Sequence, residues 1–306
     1  MLHIYSLNDL SLERTWLTIG VFDGIHRGHQ EIIQALVREA KEKNASSLVV
    51  SFYPHPAAVL GKRKDVKYLT LPEEKAEILA EMGVDILLTH PFDQEVTNLS
   101  AERFIGNIRA KLELEKLLIG YDFALGENRQ GDAKYLSALG EKDGYVVQAF
   151  KPISDEKDII SSSRVRDALV DGKVRDAHQL LGHPYALSGS VIRGDGRGRK
   201  INIPTANIEF PDEKIVPLNG VYACWAFVQD EKYLAVTNIG IRPTFTPDKE
   251  RANIETHILN FEKDIYGEEL KLEFISRLRD EKKFSSVDEL LAQIRVDIAK
   301  AEEILR

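Results

Sequence analysis

Between residues 16 and 150 the chain alternates between two hydrophobic periods. Short apolar runs rich in β-forming residues, at 16–22, 48–53, 85–92, 117–123 and 145–150, are separated by stretches whose apolar positions recur at helical spacing. In the first of these stretches Ile32, Ile33, Leu36, Val37 and Ala40 share one face. A second opens with Thr70-Leu-Pro-Glu73, a capping-box spacing with proline just inside the start, and a third follows Ser100, a good N-cap. Continuous apolar strands alternating with helices predict βαβ units, hence an α/β doubly wound, mostly parallel sheet. Ligands are then expected beyond the carboxyl ends of its strands. Two short helices follow, at about 163–170 and 173–181, punctuated by Gly172.

Gly182-His-Pro184 ends that pattern. Beyond it the runs at 187–193, 221–229, 233–239, 254–260 and 270–278 are strand-like and joined by turns, with Gln229-Asp-Glu-Lys232 reading as a hairpin. No helical pattern of useful length lies between 185 and 280, which predicts an antiparallel sheet or small barrel. A final helix is expected from about 287, after Ser286-Val-Asp-Glu289, with Leu290, Leu291, Ile294, Ile298 and Leu305 against the barrel. The expected organisation is two domains, 1–184 and 185–306, without internal repeats or low-complexity segments.

Composition narrows the function classes. With 306 residues, 43% of them apolar, each domain can bury a core of its own. A single cysteine, Cys224, excludes an internal disulfide and any paired-cysteine zinc or redox site. No secretory signal and no run of about 18 apolar residues is present, so a cytoplasmic protein without a membrane span is expected. The net charge of −8 argues against a nucleic-acid or membrane partner.

Chemistry concentrates at the predicted strand ends. Gly20-Val-Phe22-Asp23-Gly24-Ile-His26-Arg-Gly28-His29 joins the first strand to the first helix. Its glycines let the backbone approach an anion, the helix start offers free N–H groups, and His26 and His29 can face one ligand. Imidazole donors aimed at a phosphoryl group stabilise charge that builds up during its transfer. Ile160-Ser-Ser162-Ser163-Arg164-Val-Arg166 is a second candidate, with hydroxyls at a helix start and Arg166 one turn further on, although serine N-caps followed by arginine are also common. A third loop carries Asn128 and Arg129, and is equally the pattern of an ordinary turn. In the second half, Gly194, Gly196 and Gly198 interleave with Arg197 and Arg199, then lead into Pro204-Thr205-Ala-Asn207. This is not a Walker loop. The hydroxyl of Thr205 and the amide oxygen of Asn207 share one face of an extended segment, and with nucleotide phosphates they suit Mg²⁺. Glu255 and His257 also share a strand face, expected to point into the barrel, where a carboxylate could accept a hydroxyl proton. Alone, the pair also reads as an outward face.

His-x-Gly-His with Ser-Ser-Ser-x-x-Arg resembles the signature motifs of the nucleotidyltransferase superfamily. Together with Pro-His-Pro at 54–56, these segments are similar to the adenylyltransferase half of the bacterial bifunctional riboflavin kinase/FAD synthetases. Arg-Gly-Arg…Pro-Thr-Ala-Asn, Asn219-Gly-Val-Tyr222, Glu255-Thr-His-Ile-Leu and Asp264-Ile-Tyr-Gly267 resemble their kinase half. The resemblance spans nearly the whole chain with its motifs in order. It implies a nucleotidyltransferase-like domain followed by a six-stranded riboflavin kinase-like barrel with a terminal helix. It further implies phosphorylation of riboflavin to FMN and adenylylation of FMN to FAD, both from ATP with Mg²⁺. On that resemblance His26, His29, Arg166 and Glu255 are the expected catalytic residues. Gly20, Phe22, Asp23, Gly24, Gly28, Asn128, Arg129, Ser162 and Ser163 are expected around one ATP. Gly194, Gly196, Arg197, Gly198, Arg199, Thr205 and Asn207 are expected around the other, the last two on the metal. Phe52 and Phe123 are candidates for the flavin ring of the adenylyl half. Asn202-Ile203 and Asn260 depart from the family pattern and bear on the rate of the kinase step. An enzyme keeping one activity, a flavin-binding regulator and a nucleic-acid-binding barrel are the other readings.

Overall fold

The computed structural model describes residues 1–61, 65–194, 198, 201, 203–229, 231–242 and 251–306; the expected contributions of Gly196, Arg197, Arg199 and Asn202 lie outside them. By its internal contacts the chain divides into two compact units, Met1–Ser162 and Ser163–Arg306.

The first unit runs β1 (Leu2–Ile4), β2 (Leu12–Ile19), α1 (Arg27–Glu42), β3 (Ser46–Tyr53), α2 (Pro56–Val59), α3 (Pro72–Glu81) and β4 (Ile86–Pro91). It continues with α4 (Gln94–Thr97), α5 (Ala101–Arg109), β5 (Leu112–Gly120), α6 (Ala133–Asp143) and β6 (Val146–Phe150). All six strands pair in parallel in the order β1-β4-β3-β2-β5-β6. Both faces are covered, which explains the continuous apolar runs. Trp16, Val49, Leu87 and Leu118 pack under α1 and α3, while Leu17, Val50, Leu88 and Leu117 pack under α5 and α6. The chain winds one way from β2 through β3 to β4 and the other way from β5 to β6. The order therefore reverses between β2 and β5, the position at whose carboxyl ends a ligand crevice is expected. Strand β1 was not expected; three residues are too few to show a period, and the strand exists because Leu2 to Ile4 pair with Ile86 to Leu88 at the sheet edge.

Helix α7 (Ser162–Val170) begins on the last residue of the first unit and runs into the second, where α8 (Val174–Leu181) follows. Next come β7 (Tyr185–Ile192), β8 (Ala206–Glu209), β9 (Gly220–Val228), β10 (Glu231–Arg242), β11 (Arg251–Ile258), β12 (Glu269–Arg279) and α9 (Val287–Leu305). Six antiparallel strands close into a barrel in the order β10-β11-β8-β7-β12-β9. Tyr222, Cys224, Ile254, Thr256, Leu272 and Phe274 fill its interior with no exposure to solvent, the rings of Tyr222 and Phe274 meeting edge to face at 5.4 Å. This corrects the expected direction of Glu255. Ile254, Thr256 and Ile258 take the inward positions of β11, and Thr256 Oγ1 lies 3.0 Å from Thr237 Oγ1. Glu255 and His257 therefore lie on the outer face. A barrel of this size is filled by side chains and leaves an uncompensated carboxylate no room inside. Helix α9 packs Ile298, Ala301 and Leu305 on the same outer surface, over Val221, Ala223 and Val236.

Candidate active sites

In the first unit, the β2–α1 connection is locally strained. Phe22, Gly24 and Ile25 have φ of 47°, 80° and 40°, the left-handed region that a β-branched residue rarely occupies. Asp23 holds it there. Its carboxylate, 2% exposed, accepts the backbone N–H groups of Leu69 at 3.0 Å and Thr70 at 3.0 Å, and the Gly24 N–H donates to Thr70 Oγ1 at 2.9 Å. The side chain of Asp23 thus anchors the loop to the start of α3. Two glycines let rings pack close: a Cβ on Gly20 would lie 2.8 Å from the Phe22 ring, and one on Gly28 3.2 Å from the His26 ring.

His26 is the N-cap of α1 but makes no side-chain cap bond. Its ring stacks on His29 with centroids 3.6 Å apart, and Phe22 meets His29 edge-on at 5.2 Å. Both Nδ1 atoms are buried without a hydrogen-bond partner. Burial lowers His26 to about 4, against the pull of Asp23, and holds His29 well below the ordinary histidine value, helped by His26 and Lys75. Two neutral imidazoles at a helix start, each with an unpartnered buried nitrogen, form a receptor for an anion.

Sequence reasoning missed a third group beneath this loop. Lys75, on α3, is buried and donates from Nζ to the Val21 carbonyl and to Ser51 Oγ, each at 2.7 Å. In an amphipathic helix a lysine reads as the solvated face; only the tertiary packing places this one inside.

Ser162 also reaches the loop, its Oγ donating to the Asp23 carbonyl at 2.9 Å. Ser163 and Arg166 follow on α7, Arg166 one turn beyond Ser162. The 121–131 loop folds back on itself through the Leu125↔Gly131 bridge and docks on α5, with Glu127 N–H donating to the Leu99 carbonyl at 2.9 Å. Asn128 and Arg129 sit at positive φ, Arg129 donating to the Asp122 carbonyl at 2.7 Å. They line a cavity of about 220 Å³ with Phe92, Val96, Phe104 and Leu125. Phe52 does not line it. It is buried behind the cavity, 5.3 Å from the Phe92 ring and 5.8 Å from Phe104, and Phe123 packs on the same core.

In the second unit, Thr205, Asn207 and Glu255 come together in a groove of about 390 Å³ between the outer face of β8, β11 and β10 and helix α9. Register does this: Asn207 pairs with Glu255, and Glu255 with Asn238, across three adjacent strands. Glu255 Oε1 accepts from Asn253 Nδ2 at 2.8 Å, and the His257 ring meets the Pro204 carbonyl at 2.8 Å. Val221, Val236, Leu290 and Ile294 make the far wall apolar. A second cavity of about 490 Å³ lies against Pro204, Ala206, Phe261 and Tyr266, and Thr205 borders both. Gly194 and Gly198 bound this region closely. A Cβ on Gly194 would lie 2.2 Å from the Asn207 amide, and one on Gly198 2.3 Å from the Ile203 carbonyl. The groove floor is tied to α9 by Arg279, which contacts Asp297 through Nε at 2.9 Å and a terminal nitrogen at 2.8 Å; Asp297 is 2% exposed. Among the described residues no three His, Cys, Asp or Glu side chains group as a metal site.

Comparison with known proteins agrees with this division. The FAD synthetase family matches residues 9–164, and the riboflavin kinase family matches residues 181–305. The chain belongs to the bifunctional riboflavin kinase/FMN adenylyltransferases. A curated member of this family from Listeria monocytogenes is 39% identical over 286 residues, covering 92% of this chain and 89% of that one. One from Escherichia coli is 38% identical over 302 residues, covering 98% and 96%. A solved structure, described as a macrolide-efflux protein from Streptococcus pneumoniae, superposes with a TM-score of 0.88 at 32% identity and covers 98% of each chain. Among the described residues of the present chain, no helix is long and apolar enough to cross a membrane.

Proposed function

We propose that the chain makes FMN from riboflavin and ATP in the barrel unit and FAD from FMN and ATP in the sheet unit. The observation that carries this reading is that His26 and His29 gather in one unit and Thr205, Asn207 and Glu255 in the other, and the two matching families fall on those units in the same order.

In the sheet unit, an oxygen of the FMN phosphate attacks the α-phosphorus of ATP. The bond to the leaving pyrophosphate breaks, so no protein nucleophile is needed. The chain positions the reactants and stabilises charge. Gly20 to Gly24 and the start of α1 receive the phosphates, and His26 and His29 supply ring N–H groups. Ser162 contributes a further donor. The flavin ring fits the aromatic cavity beside Asn128 and Arg129, with Phe92 and Phe104 as its walls. In this role Phe92 and Phe104 replace Phe52 and Phe123.

In the barrel unit, Glu255 takes the proton of the ribityl hydroxyl, whose oxygen attacks the γ-phosphorus of ATP as ADP leaves. The apolar groove under α9 suits the flavin and the neighbouring cavity the nucleotide, so the border residue Thr205 lies between the reacting groups. The donor set fits Mg²⁺: a hydroxyl and an amide oxygen, hard and neutral, beside a glycine whose missing Cβ leaves Asn207 room. Bound there with the nucleotide, the ion would neutralise charge on the transferring phosphoryl group. Substrates and products are small molecules, and we place the enzyme in the cytoplasm.

The test is a timed incubation with riboflavin, ATP and Mg²⁺, the flavins separated by chromatography. FMN should rise first and FAD after it. His26→Ala should abolish FAD and spare FMN, and Glu255→Ala should do the reverse. Loss of both products in either folded variant would defeat the assignment of one reaction per unit.

A further inference from the structure

Lys75 is a buried cation that the reaction scheme above does not use. It touches two groups, the Val21 carbonyl and Ser51 Oγ, both at 2.7 Å, and Ser51 Oγ itself donates to the Val21 carbonyl at 3.0 Å. Two donors from β3 and α3 thus converge on one carbonyl at the end of β2. In a planar trans peptide the carbonyl and the following N–H point in opposite directions. A carbonyl drawn inward by Lys75 and Ser51 therefore turns the Phe22 N–H outward, just beyond the carboxyl end of β2 at the sheet's switch point. The neighbouring residues at positive φ could not keep this arrangement without such restraints.

We propose that Lys75 is a positioning residue for adenylyl transfer: its ammonium group holds the Val21 carbonyl inward so that the Phe22 N–H faces the nucleotide phosphates. This rests on the reading of the sheet unit as the adenylyltransferase. An ammonium is suited to the task because it has donors only and cannot turn an acceptor toward the carbonyl. Its charge also sits beneath the anion site, balanced by Asp23 at the loop.

Burial lowers Lys75 to about 8, with Asp23 opposing the shift. His29 on α1 and His3 on β1 both feel the charge of Lys75. Both are lowered and so already neutral at pH 7, while Asp23 is buried as an acceptor of backbone N–H groups. Between pH 7 and 9 Lys75 loses its charge. Adenylyl transfer should therefore fall as pH rises through about 8.

The experiment uses the full chain and follows FAD from FMN and ATP between pH 6.5 and 9.5, with FMN from riboflavin as the second readout. In the wild type, kcat/KM for ATP in FAD formation should fall at least tenfold across the alkaline limb. Lys75→Met should lose at least tenfold at pH 7 while kinase activity stays within twofold. Lys75→Arg, which keeps its charge at every pH used, should abolish the alkaline limb even if its rate is lower. A flat wild-type profile, a Lys75→Met enzyme within twofold of wild type, or an unchanged limb in Lys75→Arg would each overturn the proposal. If circular dichroism shows Lys75→Met unfolded, the wild-type and Lys75→Arg profiles decide. Failure of the wild type to make FAD at any pH would instead defeat the adenylyltransferase reading itself.

Discussion

Acid should unfold the sheet unit through its histidine pair. His26 is 6% exposed and lowered from 6.5 to about 4 by burial, so the folded unit resists its protonation while the unfolded chain accepts the proton near 6.5. Stability then rises with pH wherever the unfolded chain binds more protons. The contribution of His26 is fully present above about 6.5 and lost as pH falls toward 4. The full fall is worth about 3 kcal/mol, or about 1.4 kcal/mol per pH unit for one proton. His29, lowered further by burial and by His26, adds a second proton over the same window. Such a loss is a large share of the about 5–15 kcal/mol that holds a domain together. The chain has two tryptophans, Trp16 buried in the sheet unit and Trp225 on β9, so Trp225→Phe leaves Trp16 as the sole reporter. Urea unfolding followed by its fluorescence at pH 7, 6, 5 and 4.5 gives the slope. In a His26→Gln background that slope should drop by about one proton. Equal slopes with and without His26 would show that the ring is protonated as readily inside the fold as outside, and the neutral anion receptor described above would be wrong.

Two further substitutions test the barrel unit. Arg279→Ala leaves the buried Asp297 carboxylate without its cation and should destabilise the barrel by about 3–5 kcal/mol, measured by thermal unfolding; adding Asp297→Asn should restore part of the loss. Gly194→Ala places a methyl group 2.2 Å from the Asn207 amide, so KM for ATP in the kinase reaction should rise at least tenfold while FAD formation from FMN is unaffected.

Much of this architecture is legible in the chain because apolar period and turn chemistry agree. Strands β2 to β6 and the long helices each span enough residues to show their repeat. β1 and β8 escape because three or four residues carry no period; each is made by its neighbours, β1 by β4 and β8 by the β7 and β11 flanking it. The faces of β11 are legible but not their direction. Alternation separates Glu255 and His257 from Ile254 and Thr256, yet Thr256 is polar, and only its pairing with Thr237 shows that a hydroxyl can be buried there. His26 and His29 stand out by spacing. Lys75 and Arg279 do not, since long cationic side chains are usually solvated and nothing local marks an inward one. Asp23 reads as a ligand residue, and its carboxylate also ties two loops together, which no local pattern reveals.

The parallel sheet is complete by Ser162, whereas the barrel closes only when β12 pairs with both β7 and β9. Domains emerging from the ribosome fold in order at roughly 5–20 residues per second. The unit that finishes the cofactor is therefore assembled on the order of ten seconds before the unit that supplies its substrate. A nascent chain stalled within β9 would carry the complete parallel sheet but no closed barrel.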